Sequence, residues 1–281
     1  MYNKQHCSPK ALNNNNSCLN NKLILKLANI LNNNPNCNIN VDGSNDLYKD
    51  VCNNIKNISK CNSEYCWLTI SDIVNNLTNI EIKEFKESFR PSMPKEWKDN
   101  FNEWLSTTDI NKVLLQYEKA NPEFEYLGAH PIDAHKCSVS DEVCSIDIID
   151  LLDKNKTKVG IVFNTDDSSG QGEHWVSFYV DLEGINRKNK PSIYFFDSTG
   201  DEPQKEIDNL SKKIRKQCKK IKLDLDYVVN DIQHQRKDTE CGIYSIYFIT
   251  EMLKGKDFNK FVKNIKDDKF MEKYRKIFYL N

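Results

Sequence analysis

The apolar positions of the first 85 residues recur at helical spacing only in short stretches. Two of these stretches stand out, Leu23–Leu31 and Trp67–Val74. Apolar residues repeated at i, i+3, i+4 and i+7 lie on one face of a helix, so both stretches are predicted to be amphipathic helices. We expect the second to be capped near Thr69 or Ser71, because hydroxyl side chains accept hydrogen bonds from the first helical N–H groups.

Farther along the chain the pattern becomes that of an ordinary globular domain. Segments rich in β-branched and aromatic residues, bounded by Gly, Asp, Asn or Pro, predict strands. They are Val159–Asn164, His174–Leu182, Ser192–Asp197 and Leu225–Asp231. Helices are predicted from a cap at Asp109 or a nearby Thr through Tyr117, around Ile146–Leu152, over Ile207–Ile221, and from Cys241 and Asp257. Strands followed by helices, with long insertions, predict an α+β domain built on a mixed sheet.

Composition divides the chain at about the same place. Asparagine is concentrated in the first hundred residues, including the runs Asn13–Asn16 and Asn32–Asn34, and such tracts bury little apolar surface. The prolines of Arg90–Pro94 resist continuation of a helix. We therefore predict an asparagine-rich helical arm over residues 1–85 and a globular domain over residues 86–281, and we expect the arm to lack an independent core.

Charge and cysteine content exclude several classes of protein. Forty basic and 41 acidic residues give a net charge of −1, which excludes a generally basic protein that coats nucleic acid. The sequence predicts neither a membrane span nor a secretory signal, so we expect an intracellular protein with no membrane partner. In that setting the ten cysteines should be largely reduced. His130, His135 and Cys137 could ligate a metal, but with no second ligand pair a plain loop is favoured.

One cysteine stands where a polar loop gives way to an apolar helical pattern. Gln233–Glu240 is polar, and apolar residues recur at helical spacing from Ile243 to Leu253. Cys241 is therefore predicted to begin a helix, where unpaired N–H groups and the helix dipole favour the nucleophilic thiolate. The alternative is a buried structural cysteine, the commonest environment of a free cysteine.

Two further side chains could supply a base and its orienting carboxylate. His174 opens one predicted strand and Asp197 ends the next. Sequential strands are usually neighbours, so His174 as general base and Asp197 as its orienter would complete a triad with Cys241. Taken singly, His174 also fits a structural histidine, and Asp197 fits an ordinary turn residue.

The order of these residues resembles that of a known clan. His174–Trp175, Phe196–Ser198, Gln235 and Cys241–Gly242 are similar to the signature of the adenain and SUMO-specific (ubiquitin-like) protease clan of cysteine peptidases. The resemblance implies a mixed central sheet flanked by helices and an enzyme that needs neither a metal nor an organic cofactor. In that clan a glutamine six positions before the cysteine supplies an oxyanion-hole side chain. Gln235 has that offset, whereas Gln233 lies eight positions before.

The resemblance also implies a substrate-binding passage. Trp104 and Trp175 match two tryptophans that wall a narrow channel for a Gly-Gly tail, and Gly242 matches the glycine beside the nucleophile. Thr107 stands where the clan has an Asp after its Trp-Leu motif, so the contacts of that acidic residue are not expected here. The alternative for both tryptophans is packing in the core, the usual task of large aromatic residues.

A narrower resemblance covers Trp104–Glu118, Phe124–Gly128 and Pro131–Asp133, which are similar to the core proteases of large cytoplasmic DNA viruses, the African swine fever virus type. It implies an endopeptidase that cleaves after Gly-Gly motifs and matures viral structural polyproteins in the virion and host cytoplasm. The Asn- and Lys-rich composition fits an AT-rich genome, as in a giant virus or some protists. The alternatives are an isopeptidase that removes ubiquitin or a ubiquitin-like protein, an acyltransferase with the same triad, and a non-catalytic virion or adaptor module.

A basic stripe follows Asp197 on the predicted helix Ile207–Ile221 and just beyond it. Some adenain-like enzymes use DNA as an activator, and clustered cations attract phosphate. The opposite face of the helix is an ordinary apolar stripe, so a solvated helix face is favoured over a DNA site. The basic residues are Lys212, Lys213, Arg215, Lys216, Lys219, Lys220 and Lys222.

Overall fold

The computed structural model describes residues 6–13, 17–42 and 46–280. The chain forms two compact units, which we call the N-terminal unit (residues 1–92 and 277–281) and the catalytic unit (residues 93–276). The division falls within Arg90–Pro94, seven residues beyond the boundary placed after residue 85. That the last five residues belong to the N-terminal unit was not predicted. Among the described residues, no helix combines the length and apolar character needed to cross a membrane.

The N-terminal unit is helical. The predicted helix over Leu23–Leu31 is confirmed and is capped by the Asn20 side chain, which accepts a hydrogen bond from the backbone N–H of Leu23. The stretch around Trp67 is instead divided, because Ile70 has an extended conformation and interrupts the helix. The helices are α1 (Asn21–Leu31), α2 (Leu47–Ile58), α3 (Ser71–Val74) and α4 (Asn79–Glu87), with 3-10 helices at Pro9–Asn13 and Glu64–Thr69.

The N-terminal unit has an apolar core of its own, so the expectation that this arm lacks one is wrong. The inner faces of the helices converge on a buried cluster. It includes Leu23, Leu27, Leu31, Val51, Ile55, Trp67, Ile73, Phe85 and Phe89. Leu280, near the end of the chain, joins the same cluster and donates its backbone N–H to the Pro91 carbonyl. The apolar faces of several short helices thus pack together into one core, although each face alone is too small to form one.

Six of the ten cysteines form disulfides, which corrects the prediction of largely reduced thiols. The pairs are Cys7–Cys18, Cys61–Cys66 and Cys137–Cys144. Their partners are separated by 11, 5 and 7 residues, and their Cα atoms lie 5.0, 5.6 and 5.1 Å apart. Those distances are within the reach of a disulfide. The partners of each pair are close in sequence, but none of the three spacings is a C-x-x-C motif.

The catalytic unit is built on a five-stranded mixed sheet, which confirms the α+β prediction. The strands follow the order β1-β2-β3-β4-β5, with parallel outer pairs (β1 with β2, β4 with β5) and antiparallel inner pairs. They are β1 (Phe124–Pro131), β2 (Lys158–Asn164), β3 (Trp175–Asp181), β4 (Ser192–Phe196) and β5 (Asp226–Val229). The helices are α5 (Thr107–Ala120), α6 (Asp141–Cys144), α7 (Ile148–Asp153), α8 (Lys205–Lys220), α9 (Cys241–Leu253), α10 (Phe258–Lys263) and α11 (Asp268–Phe278), with 3-10 helices at Lys95–Lys98 and Ile132–His135.

Both faces of the sheet are covered. Alternate side chains of β2, β3 and β4, such as Phe178 and Phe195, pack into a cluster with Ile207 and Ile214 of α8. The opposite face carries Tyr179, Tyr194 and Phe196 and packs on α9. The rings of Phe196 and Phe248 are stacked there at 4.9 Å between centroids. Every residue from Cys241 to Met252 is buried, so α9 is the central helix of the unit.

Several elements differ from the predictions, among them helices α2, α4 and α6, which were not predicted. Strand β1 was not predicted, because Gly128 and Pro131 are turn residues in most sequences. Here Gly128 has a φ of +100° and lies at a register irregularity within the strand. Helix α11 was also missed, although its apolar residues recur at helical spacing. The cap of α5 is Ser106, whose hydroxyl accepts from the Asp109 N–H, while the Asp109 carboxylate accepts from the Ser106 N–H.

Candidate active site

The topology brings the three predicted triad residues to one edge of the sheet. His174 immediately precedes β3 and Asp197 immediately follows β4. Because the two strands are antiparallel neighbours, with Ser177 opposite Phe196, the start of one lies beside the end of the other. Helix α9 packs on β3 and presents Cys241 as its first residue.

The histidine and the aspartate are in direct contact. His174 Nε2 lies 2.7 Å from Asp197 Oδ1. The same carboxylate oxygen also accepts hydrogen bonds from the Thr199 backbone N–H at 2.9 Å and the Thr199 hydroxyl at 2.8 Å. With Nε2 turned to Asp197, Nδ1 is the ring nitrogen left to exchange a proton with the thiol.

A buried asparagine that the sequence did not single out fixes the backbone of Asp197. Asn230 Oδ1 accepts from the Asp197 N–H at 2.8 Å, and Asn230 Nδ2 donates to the Asp197 carbonyl at 2.9 Å. Two opposed bonds hold one residue in place better than either alone, since they fix orientation as well as position. The sequence signal was weak, because Asn230 ends a strand where asparagine is also a common turn residue.

The environment of His174 favours its protonated form. Burial lowers the pKa of this imidazole, but the hydrogen bonds to Asp197 and Cys241 outweigh it and raise the pKa to about 10. At neutral pH the ring is therefore an imidazolium, the natural counterion of a thiolate. Cys241 lies at the start of α9, where the helix dipole adds to the stabilisation of negative charge.

Gln235 is buried beside the triad, whereas Gln233 is exposed. The Gln235 Oε1 accepts from the Ser198 hydroxyl at 2.7 Å, and its Nε2 donates to the Lys237 carbonyl. The side-chain amide is thus held from both ends, with two N–H groups on Nε2 and one of them committed to Lys237. Of the two glutamines, Gln235 has the fixed orientation that an oxyanion donor requires.

A buried ion pair lies directly behind the nucleophile. Glu240, at the N-cap position of α9, faces the Arg275 guanidinium, and Arg275 Nε lies 2.9 and 3.1 Å from the two carboxylate oxygens. Arg275 is fully buried and also donates to the carbonyls of Thr239 and Glu103. Burial raises the pKa of Glu240, and Arg275 opposes that change. Arg275 therefore neutralises the charge of the carboxylate next to Cys241 in the sequence. It also links the backbone at Thr239 to the backbone at Glu103, just before Trp104.

Both predicted tryptophans line one cleft of about 630 Å³. Trp104 is 39% exposed, whereas Trp175 is buried and its indole N–H donates to the Leu105 carbonyl at 2.9 Å. Gly242 is not among the residues that line this cleft. A Cβ at that position would lie 3.0 Å from the Leu105 Cβ, so the glycine permits close packing of α9 on the Trp-Leu segment. The structure thus gives Gly242 a packing function, and its contact with the substrate stays a prediction.

The weaker metal hypothesis has no geometric support in the described part of the chain. Cys137 is joined to Cys144 and is not a thiolate, and His130 Nε2 lies 2.5 Å from the Leu127 carbonyl oxygen. Among the residues that the structure describes, no group of three or more His, Cys, Asp or Glu side chains is arranged around a common centre. His130 lies in β1 and His135 ends the 3-10 helix Ile132–His135, so the segment is not the plain loop that the sequence favoured.

The site combines a cysteine at a helix start with a histidine and a carboxylate at the ends of neighbouring strands of a mixed sheet. This combination is that of a cysteine protease. The family model described as YopJ serine/threonine acetyltransferase matches residues 82–277, and the chain belongs to this family. The predicted membership of the adenain and ubiquitin-like protease clan, close to the African swine fever virus type, is confirmed by the family match together with the relatives and solved structures described next.

Viral proteins are among the relatives. A protein of Acanthamoeba polyphaga mimivirus that is named as a thiol protease is 34% identical over 180 residues, which are 64% of this chain and 57% of the relative. The SUMO-1 cysteine protease of African swine fever virus is 35% identical over 117 residues, 41% of each chain. The matched segments thus span about half of these relatives' lengths.

The fold extends beyond those segments. The crystal structure of the African swine fever virus protease superposes with a TM-score of 0.74 at 21% identity. The superposition covers 99% of this chain and 97% of that one. At this level of identity the likeness establishes a shared fold, and the chemistry must be argued from the site.

Proposed function

We propose that the protein is a cysteine endopeptidase that cleaves after Gly-Gly motifs and matures viral structural polyproteins, acting in the virion and host cytoplasm. The observation that carries the proposal is the hydrogen bond between His174 and Asp197 beside Cys241 at a helix start. The names of the mimivirus and African swine fever virus relatives, both thiol or cysteine proteases, support the same activity.

The geometry supports a conventional thiol mechanism. The Cys241 proton has already passed to His174, which is an imidazolium at neutral pH, and the thiolate attacks the carbonyl carbon of the scissile bond to form a tetrahedral intermediate. The amide N–H of Gln235 and the backbone N–H of Cys241 are the donors for its oxyanion. The imidazolium then gives its proton to the leaving amine as the C–N bond breaks and a thioester forms. Water activated by His174 hydrolyses the thioester and returns the free thiol.

The proposed Gly-Gly preference rests on the two tryptophans. Trp104 and Trp175 line the same cleft, and the Trp175 ring is fixed by its bond to the Leu105 carbonyl. A fixed indole wall accepts a bare backbone and excludes a β-carbon at the same depth. The substrate partner is therefore a polyprotein segment or a ubiquitin-like tail that ends in Gly-Gly.

Two related activities have specific support. The African swine fever virus relative carries SUMO-1 in its name, which favours an isopeptidase acting on a ubiquitin-like protein. The family model is described by serine/threonine acetyl transfer, which favours an acyltransferase. All three activities pass through an acyl-thioester on Cys241. They differ in the substrate that supplies the acyl group and in whether water or a hydroxyl group then attacks the thioester.

A three-armed assay tests the proposal. The full-length protein is incubated with a Gly-Gly-X peptide library, with a panel of ubiquitin-like proteins carrying a C-terminal fluorophore, and with acetyl-coenzyme A plus a Ser/Thr peptide. We expect cleavage after Gly-Gly in the library, lost in the variant Cys241→Ala. Hydrolysis of the fluorophore panel alone would favour the isopeptidase, and acetylated peptide without cleavage would replace the proposal with acyl transfer.

A further inference from the structure

The loop between the oxyanion donor and the nucleophile packs beside helix α11. This loop runs from Gln235 to Glu240, and Asp268 is the first residue of the helix. The Asp268 side chain is not part of the triad, yet the residue is only 6% exposed. A buried carboxylate is costly unless it is hydrogen-bonded, so its partners indicate its purpose.

Those partners are mainly backbone groups of the loop. Asp268 Oδ2 accepts from the N–H groups of Arg236 and Lys237, each at 3.1 Å. The Tyr244 hydroxyl, on α9, approaches Asp268 Oδ1 at 3.3 Å. One carboxylate thus holds two consecutive peptide groups immediately after Gln235.

The second of those N–H groups belongs to the residue that binds the oxyanion donor. Lys237 is bound through its N–H by Asp268, and its carbonyl accepts from the Nε2 of Gln235. The other end of the same amide is held by the Ser198 hydroxyl at 2.7 Å. A shift of the Lys237 backbone would therefore move its carbonyl and rotate the Gln235 amide about the end that Ser198 holds.

We propose that Asp268 is a positioning residue: its carboxylate fixes the backbone of Lys237, whose carbonyl in turn aims the Gln235 amide at the oxyanion. The inference deepens the proposed function and rests on its assignment of Gln235 as the oxyanion donor. Asp268 itself touches no reacting atom. It acts by keeping an N–H in place, because preorganised donors stabilise developing charge without reorganisation during the reaction.

The test compares two reactions of Cys241 in the full-length protein. With p-nitrophenyl acetate, Sγ attacks the carbonyl carbon, an oxyanion develops, and p-nitrophenolate leaves as the thioester forms. With iodoacetamide, Sγ displaces iodide and no oxyanion develops. The ratio of acylation to alkylation, followed at Cys241 by peptide mapping, therefore reports on the oxyanion donors. Neither reagent depends on the natural substrate, so the ratio remains informative if Gly-Gly cleavage is not observed.

We expect Asp268→Ala to lower the acylation rate about tenfold and to change alkylation less than about twofold, a smaller loss than removal of the donor itself. Asp268→Asn, which keeps one acceptor oxygen, should fall between this variant and the wild type, and it serves as the second variant if the alanine protein folds poorly. In a Gln235→Ala background, Asp268→Ala should leave the ratio unchanged. The matched control is Asp267→Asn, since Asp267 accepts from the Phe270 N–H at 2.8 Å within the same first turn.

Three outcomes would overturn the inference. One is an unchanged ratio in both Asp268 variants. Another is an equal fall in acylation and alkylation, which would mean that the carboxylate supports the nucleophile or the fold instead of the oxyanion donor. The third is the same fall with and without Gln235, which would remove the relay through Lys237.

Discussion

The two units of the chain are stabilised in different ways. The N-terminal unit is held by apolar side chains of its short helices and by two disulfides that each close a short loop. The catalytic unit also has an apolar core, but it buries Asp197, Glu240, Asp268 and Arg275 close to the candidate site. Buried charges of this kind add little net stability, because desolvation offsets their attraction.

This difference separates residues that maintain the fold from residues that orient the chemistry. In the N-terminal unit most buried side chains could be exchanged for others of similar volume at modest cost. In the catalytic unit the buried polar side chains each hold a particular atom: Asn230 holds the Asp197 backbone, and Arg275 holds the Thr239 carbonyl. Substitutions in the N-terminal unit should therefore mainly lower stability, whereas substitutions of the buried polar residues in the catalytic unit should mainly lower activity.

The largest effect should come from the nucleophile. Cys241→Ser should lower turnover of a Gly-Gly substrate by roughly 10⁴-fold or more, because triad members act as a unit, while the melting temperature stays close to that of the wild type. The matched control is Cys218→Ser, another buried free cysteine in the same unit, whose thiol has a pKa raised to about 11 by burial. Mapping the earliest iodoacetamide adduct to any cysteine other than Cys241 would contradict the assignment.

The next effect should distinguish two glutamines that are two residues apart. Gln235→Ala should lower kcat by roughly 10²–10³ with little change in KM, since an oxyanion donor acts in the transition state. Gln233→Ala, at an exposed position in the same loop, should have almost none of this effect. Steady-state kinetics on one peptide measure both, and exchanged phenotypes would show that the loop register is wrong.

Breaking the buried ion pair should reduce stability as well as activity. Arg275→Met leaves the Glu240 carboxylate buried without its partner, so the free energy of unfolding in urea should fall by about 3–5 kcal/mol. Lys237→Ala removes an exposed ion pair with Glu272 from the same region and should cost far less, because solvent screens exposed pairs. If Glu240→Gln in the Arg275→Met background recovers none of the loss, the unpaired charge is not its cause.

A smaller and local effect is expected in the N-terminal unit. Replacing both Cys7 and Cys18 by Ser removes a disulfide whose partners are 11 residues apart, which should cost about 2–3 kcal/mol through the unfolded state. Hydrogen exchange should increase in α1 and α4, whereas peptide turnover by the catalytic unit should not change. Loss of turnover together with faster hydrogen exchange in α9 would contradict the claim that this disulfide stabilises the N-terminal unit alone.

The last effect concerns the half-buried His174 and the buried His234, which have opposite pKa shifts. Burial lowers the pKa of His174, but hydrogen bonds to Asp197 and Cys241 outweigh it and raise the pKa to about 10. The contribution of His174 to stability is therefore complete below its unfolded pKa, near 6.5, and is lost as the pH rises through about 10. Burial lowers the pKa of His234, so its contribution is lost as pH falls through the unfolded value. Denaturation of His174→Gln and His234→Gln between pH 5 and 10 should show opposite trends relative to the wild type.

Much of the catalytic unit could be read from local pattern. Segments rich in β-branched and aromatic residues located β2, β3 and β4, and the change from polar loop to apolar helix located Cys241. The triad order could be inferred because sequential strands are usually neighbours, which brings a residue before β3 beside a residue after β4. The clan signature then distinguished Gln235 from Gln233 by its offset, and the burial of Gln235 agrees with that choice.

Other features needed the folded chain. The sequence by itself determined which residues have chemistry to offer and where most elements begin, because propensity and periodicity are local. Tertiary structure alone decided that Gly242 serves packing against Leu105, and that Arg275 and Asp268 reach the loop of residues 235–240 from some 30 residues away. Such contacts depend on where whole helices pack in the unit. Packing is set by the total apolar surface that all the elements bury together, and no short segment of the sequence determines that total.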